Sequence, residues 1–491
     1  MLRSAIRALL LSGAILAFCS GALARVKLPA FFSDNMVLQQ RDNVAVWGEA
    51  RPGEQVYVSG SWGRKVVKTK AGADGKWMLH LPTTSAGGPY QLTIRDDGGD
   101  SAVVLQNVML GEVWLCSGQS NMNFPIGKAA GWRTGVEDYE KVIAEADHPN
   151  IRMFTVEQNV ADTPVTDVRG QWAVCSPATA GKFSAVAYYF ARELTRVTGV
   201  PVGLIHSSVG GTPAEAWTRR DILAGDTALA GILKRYDSLV AAHPDSVKKY
   251  KYNPQSPAKL YNGMIHPLIP YTIKGVIWYQ GESNSDRPYQ YRRLFTALIG
   301  SWRKEWNGTL PFYFVQIAPF KDKPPQLREA QLLTYQSVPR TGMVVITDAG
   351  DSLNIHPRNK EVVGRRLALW ALAKDYGQKK SVFSGPLYRE MRIEGNRIRI
   401  AFDFTADGLV VKVDTLAANK EAAPSLREFM IAGADRHFVP ANVRIEGKEL
   451  VVWNDQVEKP VAVRFAWKPF PHPNLYNTAG LPASPFRTDE W

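Results

Sequence analysis

Residues 184–212 read SAVAYYFARELTRVTGVPVGLIHSSVGGT, and this stretch decides the architecture. Val186, Phe190, Leu194 and Val197 recur at helical spacing, so they share one face of an amphipathic helix. Ser184 is a natural N-cap, and Gly199 stands just past the end, where a left-handed residue closes a helix. VGLIHSS follows, an apolar run short enough to be a strand buried on both faces. Val209-Gly210-Gly211-Thr212-Pro213 then supplies a polar turn. Helix, buried strand and polar loop in this order make one unit of a doubly wound parallel sheet, whose ligands sit at the carboxyl ends of the strands.

The unit recurs from about 109 to 378. Val113-Trp114-Leu115, KGVIWYQ, FYFVQIA and GMVVITD read as buried strands. Tyr291, Leu294, Leu298 and Trp302 mark a second helix. Val363, Leu367, Trp370 and the aliphatic stem of Lys374 mark a third, which Gly377 closes. On either side the pattern is β. In 25–108, VAVWGEA, EQVYVSGSW, KWMLHLP and PYQLTIRD lie between turn signals and predict a small sandwich. In 379–491, REMRIEG, RIRIAFDF, LVVKVD, VRIEG, ELVVW and VAVRFAW predict a second β domain, and Trp453 and Trp467 are expected to serve its packing.

Residues 1–24 stand apart. Arg3 and Arg7 form a basic start, Ala8 to Phe18 is apolar but too short to span a bilayer, and Ala22-Leu23-Ala24 is a small-residue cleavage site. A secretory signal peptide cut before Arg25 is expected, giving a secreted or periplasmic protein with no membrane anchor after cleavage. Losing Arg3 and Arg7 lowers the net charge of +13 only slightly. No Lys/Arg block follows, so nucleic acid is not an expected partner. Cys116 and Cys175 make neither a disulfide framework nor a zinc spacing, and no His/Asp/Glu cluster has ligand spacing, so no metal is expected.

The strand-end loops carry chemistry. VWLCSGQSNMN, residues 113–123, presents Ser120, and the later loops bring Gly211, then Gln280-Gly281-Glu282-Ser283-Asn284, then Asp348 through His356. A serine hydroxyl becomes a nucleophile when an imidazole takes its proton, and a carboxylate can fix that imidazole. Ser120, His356 and either Asp351 or Asp348 supply these parts. The oxyanion of acyl transfer needs preorganised donors, for which the backbone N–H of Ser120 and Gly211 and the amide of Gln280 or Asn284 are candidates. Gln119, Asn121 and Glu282 are candidates for holding substrate. Met122 stands where a nucleophile elbow requires glycine, which excludes an α/β-hydrolase.

Gly118-Gln119-Ser120-Asn121-Met122, Val209-Gly210-Gly211-Thr212, Trp278-Tyr279-Gln280-Gly281-Glu282-Ser283-Asn284 and Ile355-His356-Pro357 together resemble the blocks of the sialate O-acetylesterase family, a branch of the SGNH-type hydrolases. The likeness extends to Tyr261-Asn262-Gly263-Met264-Ile265-His266-Pro267 and to the terminal LPASPF. It implies a flavodoxin-like three-layer α/β/α catalytic domain with accessory β-sandwich-like segments at both ends. It also implies a cofactor-free esterase acting on an acetylated carbohydrate, with Ser120 as nucleophile, His356 as base and Gly211 with Gln280 or Asn284 in the oxyanion hole. One departure is plain. SGNH enzymes usually place an aspartate three residues before the histidine, where this chain has Leu353, and many relatives carry an acid two before it, where this chain has Asn354. The third member is therefore sought in Asp351, the nearer, or Asp348, or a backbone carbonyl.

Two other readings have their own signatures. Glu282 and Asp351 could be the paired carboxylates of a glycoside hydrolase, and such an enzyme would be indifferent to Ser120→Ala. A non-catalytic sugar-binding protein would bind acetylated glycan without releasing acetate. Within acetylesterases, sialic acids and plant polysaccharides such as xylan or xyloglucan are both candidate substrates.

Overall fold

The computed structural model describes residues 26–97, 102–244, 249–250, 252–306, 308–413 and 425–491. The expected signal peptide lies outside them. The chain opens with β1 (Val37–Gln39), β2 (Asn43–Glu49), β3 (Gln55–Gly60), β4 (Val66–Lys70), β5 (Lys76–Pro82) and β6 (Gly87–Asp96), then runs into the long β7 (Val103–Gly118). After it come β8 (His148–Thr155), β9 (Trp172–Cys175), β10 (Val202–Ser208), β11 (Gly275–Tyr279), β12 (Phe312–Val315) and β13 (Thr341–Val344).

These last strands and β7 build the centre, in the order β13-β12-β11-β7-β10-β8-β9. Every pair is parallel except β8 with β9. The first strand of this set is thus internal. The chain leaves β7 for one side of the sheet, returns beside it as β10, then crosses to its other side as β11, so the sheet's switch point lies at β7. Its second half is buried throughout, because both faces are covered. Val113 and Leu115 enter one core and Trp114 and Cys116 the other. The first core is packed under helices Pro288–Glu305 and Pro325–Ser337, the second under Ala185–Thr198 and Lys360–Lys374.

Local chemistry explains the helix that flanks the turn carrying Ser120. Ser184 Oγ accepts from the Ala187 N–H at 3.3 Å, a cap worth about 1 kcal/mol. The same hydroxyl donates to the Met122 carbonyl at 2.7 Å, which ties the helix start to the turn after β7. Gly199 closes the helix at φ 70°. Helix Lys360–Lys374 crosses it at Gly364, where a Cβ would stand 2.6 Å from that of Tyr189, so only glycine lets the two backbones approach.

The N-terminal strands do not form a detached unit. β7 pairs with β6 and β1 through its first half and with β10 and β11 through its second, so one continuous strand runs through residues 108 and 109. The C-terminal strands form two four-stranded sheets, one of Leu387–Glu394, Arg397–Asp403, Glu449–Trp453 and Asn442–Glu446, the other containing Phe429–Ala432 and Ala462–Phe465. They enclose their own core around Ile400, Phe429, Val452 and Phe465. Trp453 and Trp467 are half-buried, each with an arginine over its ring, Arg397 at 5.5 Å and Arg487 at 5.2 Å. The terminal run docks on the central layer. Gln316 Nε2 donates to Ser484 Oγ at 3.0 Å, and the fully buried Arg328 donates to the carbonyls of Lys468 and Pro469.

Candidate active site

Ser120 sits at the apex of the turn that ends β7. Gly118 has φ 139°, and a Cβ there would lie 2.1 Å from the Tyr279 carbonyl oxygen, so the strand end must be glycine. Gln119 N–H then donates to that carbonyl at 3.0 Å, and the N–H groups of Met122 and Asn123 fold back onto the Gln119 carbonyl at 2.9 Å. The turn opens on a cleft of about 620 Å³ whose walls include Gln119, Ser120, Gly210, Gly211, Glu282 and His356. Loops from the carboxyl ends of β7, β10, β11 and β13 therefore meet at the switch point.

His356 is half-buried and stacked on Trp132, with ring centroids 4.3 Å apart and planes 25° from parallel. Burial, helped by the nearby Lys360 charge, lowers its pKa to about 4. The imidazole is thus neutral at pH 7, the form a general base requires. Among the described residues no group hydrogen-bonds to this ring; only the backbone N–H of His356 is tied, to Asn354 Oδ1 at 2.9 Å.

Neither aspartate reaches it. The side chain of Asp348, 14% exposed, is covered in a two-pronged ion pair with Arg366, at 2.7 and 2.8 Å. Burial alone would raise its pKa, but the Arg366 pairing outweighs this and holds it below the ordinary value. Asp351 is exposed, and its Oδ1 accepts from the N–H groups of Leu353 and Asn354, capping its own loop. Asp351 and Asp348 are also absent from the cleft wall, so Glu282 and Asp351 do not face one substrate as paired carboxylates.

The candidate donors divide. The backbone N–H groups of Ser120 and Gly211 bond to no acceptor among the described residues, and both residues line the cleft. Gln280 and Asn284 are enclosed instead. Gln280 Nε2 is spent on Thr212 O and Asn284 Oδ1, and Asn284 Nδ2 on Glu215 Oε2 at 2.8 Å. Asn284 Oδ1 also accepts from the Ala214 N–H, so this pair fixes the loop after β10. Gln119 is better placed: its Oε1 accepts from Gly281 and Ser283, which orients an amide nitrogen that has no protein acceptor among the described residues. Asn121 is fully buried behind the turn, while Glu282 contributes to the wall.

No periodicity or motif marks Trp132, Arg133 and Lys323, which also line the cleft from aperiodic loops. Lys323 Nζ donates to Glu282 O and Ser285 Oγ. A second serine and histidine, Ser208 and His206, bond at 2.6 Å within β10, but both are buried and neither lines the cleft.

Comparison with known proteins bears on this geometry. The model of the carbohydrate esterases described as sialic acid-specific acetylesterases matches residues 110–372, a span that begins within β7 and ends within helix Lys360–Lys374. The chain belongs to the sialic acid-specific acetylesterase family. Human sialate O-acetylesterase is 30% identical over 513 residues, covering 94% of this chain and 92% of that protein. The rat enzyme is 28% identical over 530 residues, covering 95% of each. Among solved structures, a carbohydrate acetylesterase from Xanthomonas citri superposes with a TM-score of 0.83 at 38% identity, covering 95% of this chain and 100% of the other. Membership makes the protein a carboxylic ester hydrolase, and the mixed α/β fold with its parallel central sheet agrees with that assignment.

Proposed function

We propose that this protein is a secreted or periplasmic serine esterase of the SGNH type that hydrolyses O-acetyl esters on sugars and releases acetate. The observation that carries the reading is the meeting of Ser120 and His356 in one cleft with the free N–H groups of Ser120 and Gly211. Ser120 Oγ attacks the acetyl carbonyl while His356 accepts its proton. The oxyanion is held by Ser120 N–H, Gly211 N–H and Gln119 Nε2. As the acyl C–O bond breaks, His356 gives its proton to the departing sugar oxygen, which leaves as a hydroxyl, and a water activated by the same imidazole frees acetate from the serine. Trp132 holds the imidazole by stacking in place of a carboxylate, and no cofactor enters.

An acetylated sialic acid is the first substrate reading. It is supported by the human and rat relatives, both named sialate O-acetylesterase, and by Arg133 and Lys323, two cations on the cleft wall suited to a sugar carboxylate. The second reading is a neutral acetylated glycan such as xylan or xyloglucan. It is favoured by the higher identity, 38%, to an enzyme named only for carbohydrate. Acetate release from a simple acetyl ester, compared among wild type, Ser120→Ala and His356→Ala, tests the reaction; a panel of acetylated sialic acids and plant glycans then separates the substrates. Loss of about a thousandfold or more in both variants is expected. Retained activity in Ser120→Ala overturns the reading.

A further inference from the structure

Helix Lys360–Lys374 carries a lysine where its buried stripe calls for an apolar residue: Lys360 stands at helical spacing from Val363, Leu367 and Trp370 and is itself fully buried. Its ammonium lies 4.8 Å from the Phe124 ring and 5.6 Å from the Tyr279 ring. Its one hydrogen-bond acceptor among the described residues is Asn121 Oδ1, at 2.5 Å. Asn121, also fully buried, spends its Nδ2 on Glu282 Oε1 at 2.7 Å and on the Ile355 carbonyl at 3.1 Å.

The amide has one tolerable orientation. Flipped, it would set its NH₂ against the Lys360 ammonium and its oxygen against the Glu282 carboxylate. Its position in the chain gives this bridge its meaning. Asn121 is the covalent neighbour of Ser120, and Ile355 is the covalent neighbour of His356. One buried side chain therefore joins the nucleophile turn to the loop that carries the base, with Lys360 and Glu282 bracing it from two further elements.

We propose that Lys360, Asn121 and Glu282 form a positioning bridge that sets the distance and orientation between Ser120 and His356. The inference rests on the esterase reading above. It accounts for how His356 is held in register with Ser120 although no described side chain hydrogen-bonds to its ring.

Lys360→Met keeps an unbranched side chain, one atom shorter, but removes the donor, and Asn121→Asp keeps the shape of the amide but repels Glu282 and drops the Ile355 bond. If Lys360→Met does not fold, Asn121→Asp carries the test, with Asn121→Ser behind it. In folded variants kcat for a small acetyl ester is expected to fall about tenfold to a hundredfold while KM changes less than about threefold, as for an interaction made in the transition state. Lys360→Arg, which restores a donor, should recover part of the loss. In Lys360→Met the acid limb of kcat/KM should also move to higher pH, because the Lys360 charge lowers the His356 pKa. The other groups around that ring are the uncharged Trp132 and Phe124, with Arg133, Glu282 and Lys323 on the same cleft wall. Unchanged kcat in the folded variants, or a rise in KM at constant kcat, overturns the bridge. Ser120→Ala, assayed alongside, keeps the two ideas apart: if it stays active the esterase reading fails, whereas if it is dead and the bridge variants are unaffected only the bridge fails.

Discussion

The imidazole of His356 lies against the indole of Trp132 at 4.3 Å, face to face within 25°, and among the described residues no carboxylate hydrogen-bonds to that ring. Aromatic pairs of this kind are worth about 0.5–1.5 kcal/mol beyond the area they bury, so the stack restrains the ring without charging it. Trp132→Ala is expected to lower kcat about tenfold, and Trp132→Phe less. Steady-state kinetics on an acetyl ester too small to touch residue 132 give the comparison.

The pH profile follows from the same surroundings. Burial and the Lys360 charge lower the His356 pKa to about 4, against an ordinary imidazole value of about 6.5. A base works only when deprotonated, so kcat/KM should stay level through neutral pH and fall only as pH drops through about 4. A limb centred above pH 6 would contradict this environment for His356.

The two aspartates should separate cleanly. A true triad aspartate costs about 10⁴ in kcat when its charge is removed. Asp351→Ala, which deletes only the cap on an exposed loop, is expected to cost less than about tenfold.

Asp348→Asn should act on stability instead. It breaks a mostly buried pair with Arg366, for which about 3 kcal/mol is typical. Because the folded pKa of Asp348 is depressed, the stability it contributes is present above its unfolded pKa of about 3.9 and is lost as pH falls through the folded value. Denaturant unfolding at neutral and acid pH therefore shows a large gap between wild type and variant at pH 7 that narrows on acidification, with no change in the acid limb of kcat/KM.

Arg328→Met tests the docking of the C-terminal segment. The guanidinium is fully buried, and losing it leaves the carbonyls of Lys468 and Pro469 without their donor, at about 1–3 kcal/mol for each unsatisfied group. A lower unfolding midpoint, read by denaturant titration, is the expected result.

Much of this was legible in the chain because periodicity reports burial. Ser184, the stripe from Val186 to Val197 and Gly199 correctly bounded a helix, and the strand that follows led to the glycine loop beside Ser120. The polar loops were legible as a group since parallel strands deliver their carboxyl ends to one edge. What periodicity cannot report is a change of neighbour along one strand. Residues 103–118 read as unbroken β, and nothing in them marks where β6 gives way to β10 and β11 as partner. Side-chain direction in loops is equally hidden: Gln280 and Asn284 turn inward to brace Thr212 and Ala214, while Trp132, Arg133 and Lys323 reach the cleft without any repeat to announce them. Lys360 is the instructive case. The sequence reading starts its stripe at Val363 and passes over it; the structure extends that stripe back to Lys360 and buries its charge against Asn121.

Ser120 is the proposed nucleophile. Its most direct test is labelling the folded enzyme with a fluorophosphonate, followed by peptide mass spectrometry. A single adduct on the peptide containing Ser120, slowed at least about a hundredfold in His356→Ala and absent in Ser120→Ala, is the predicted result. An adduct on another residue, or full ester hydrolysis by Ser120→Ala, would rule Ser120 out as the nucleophile.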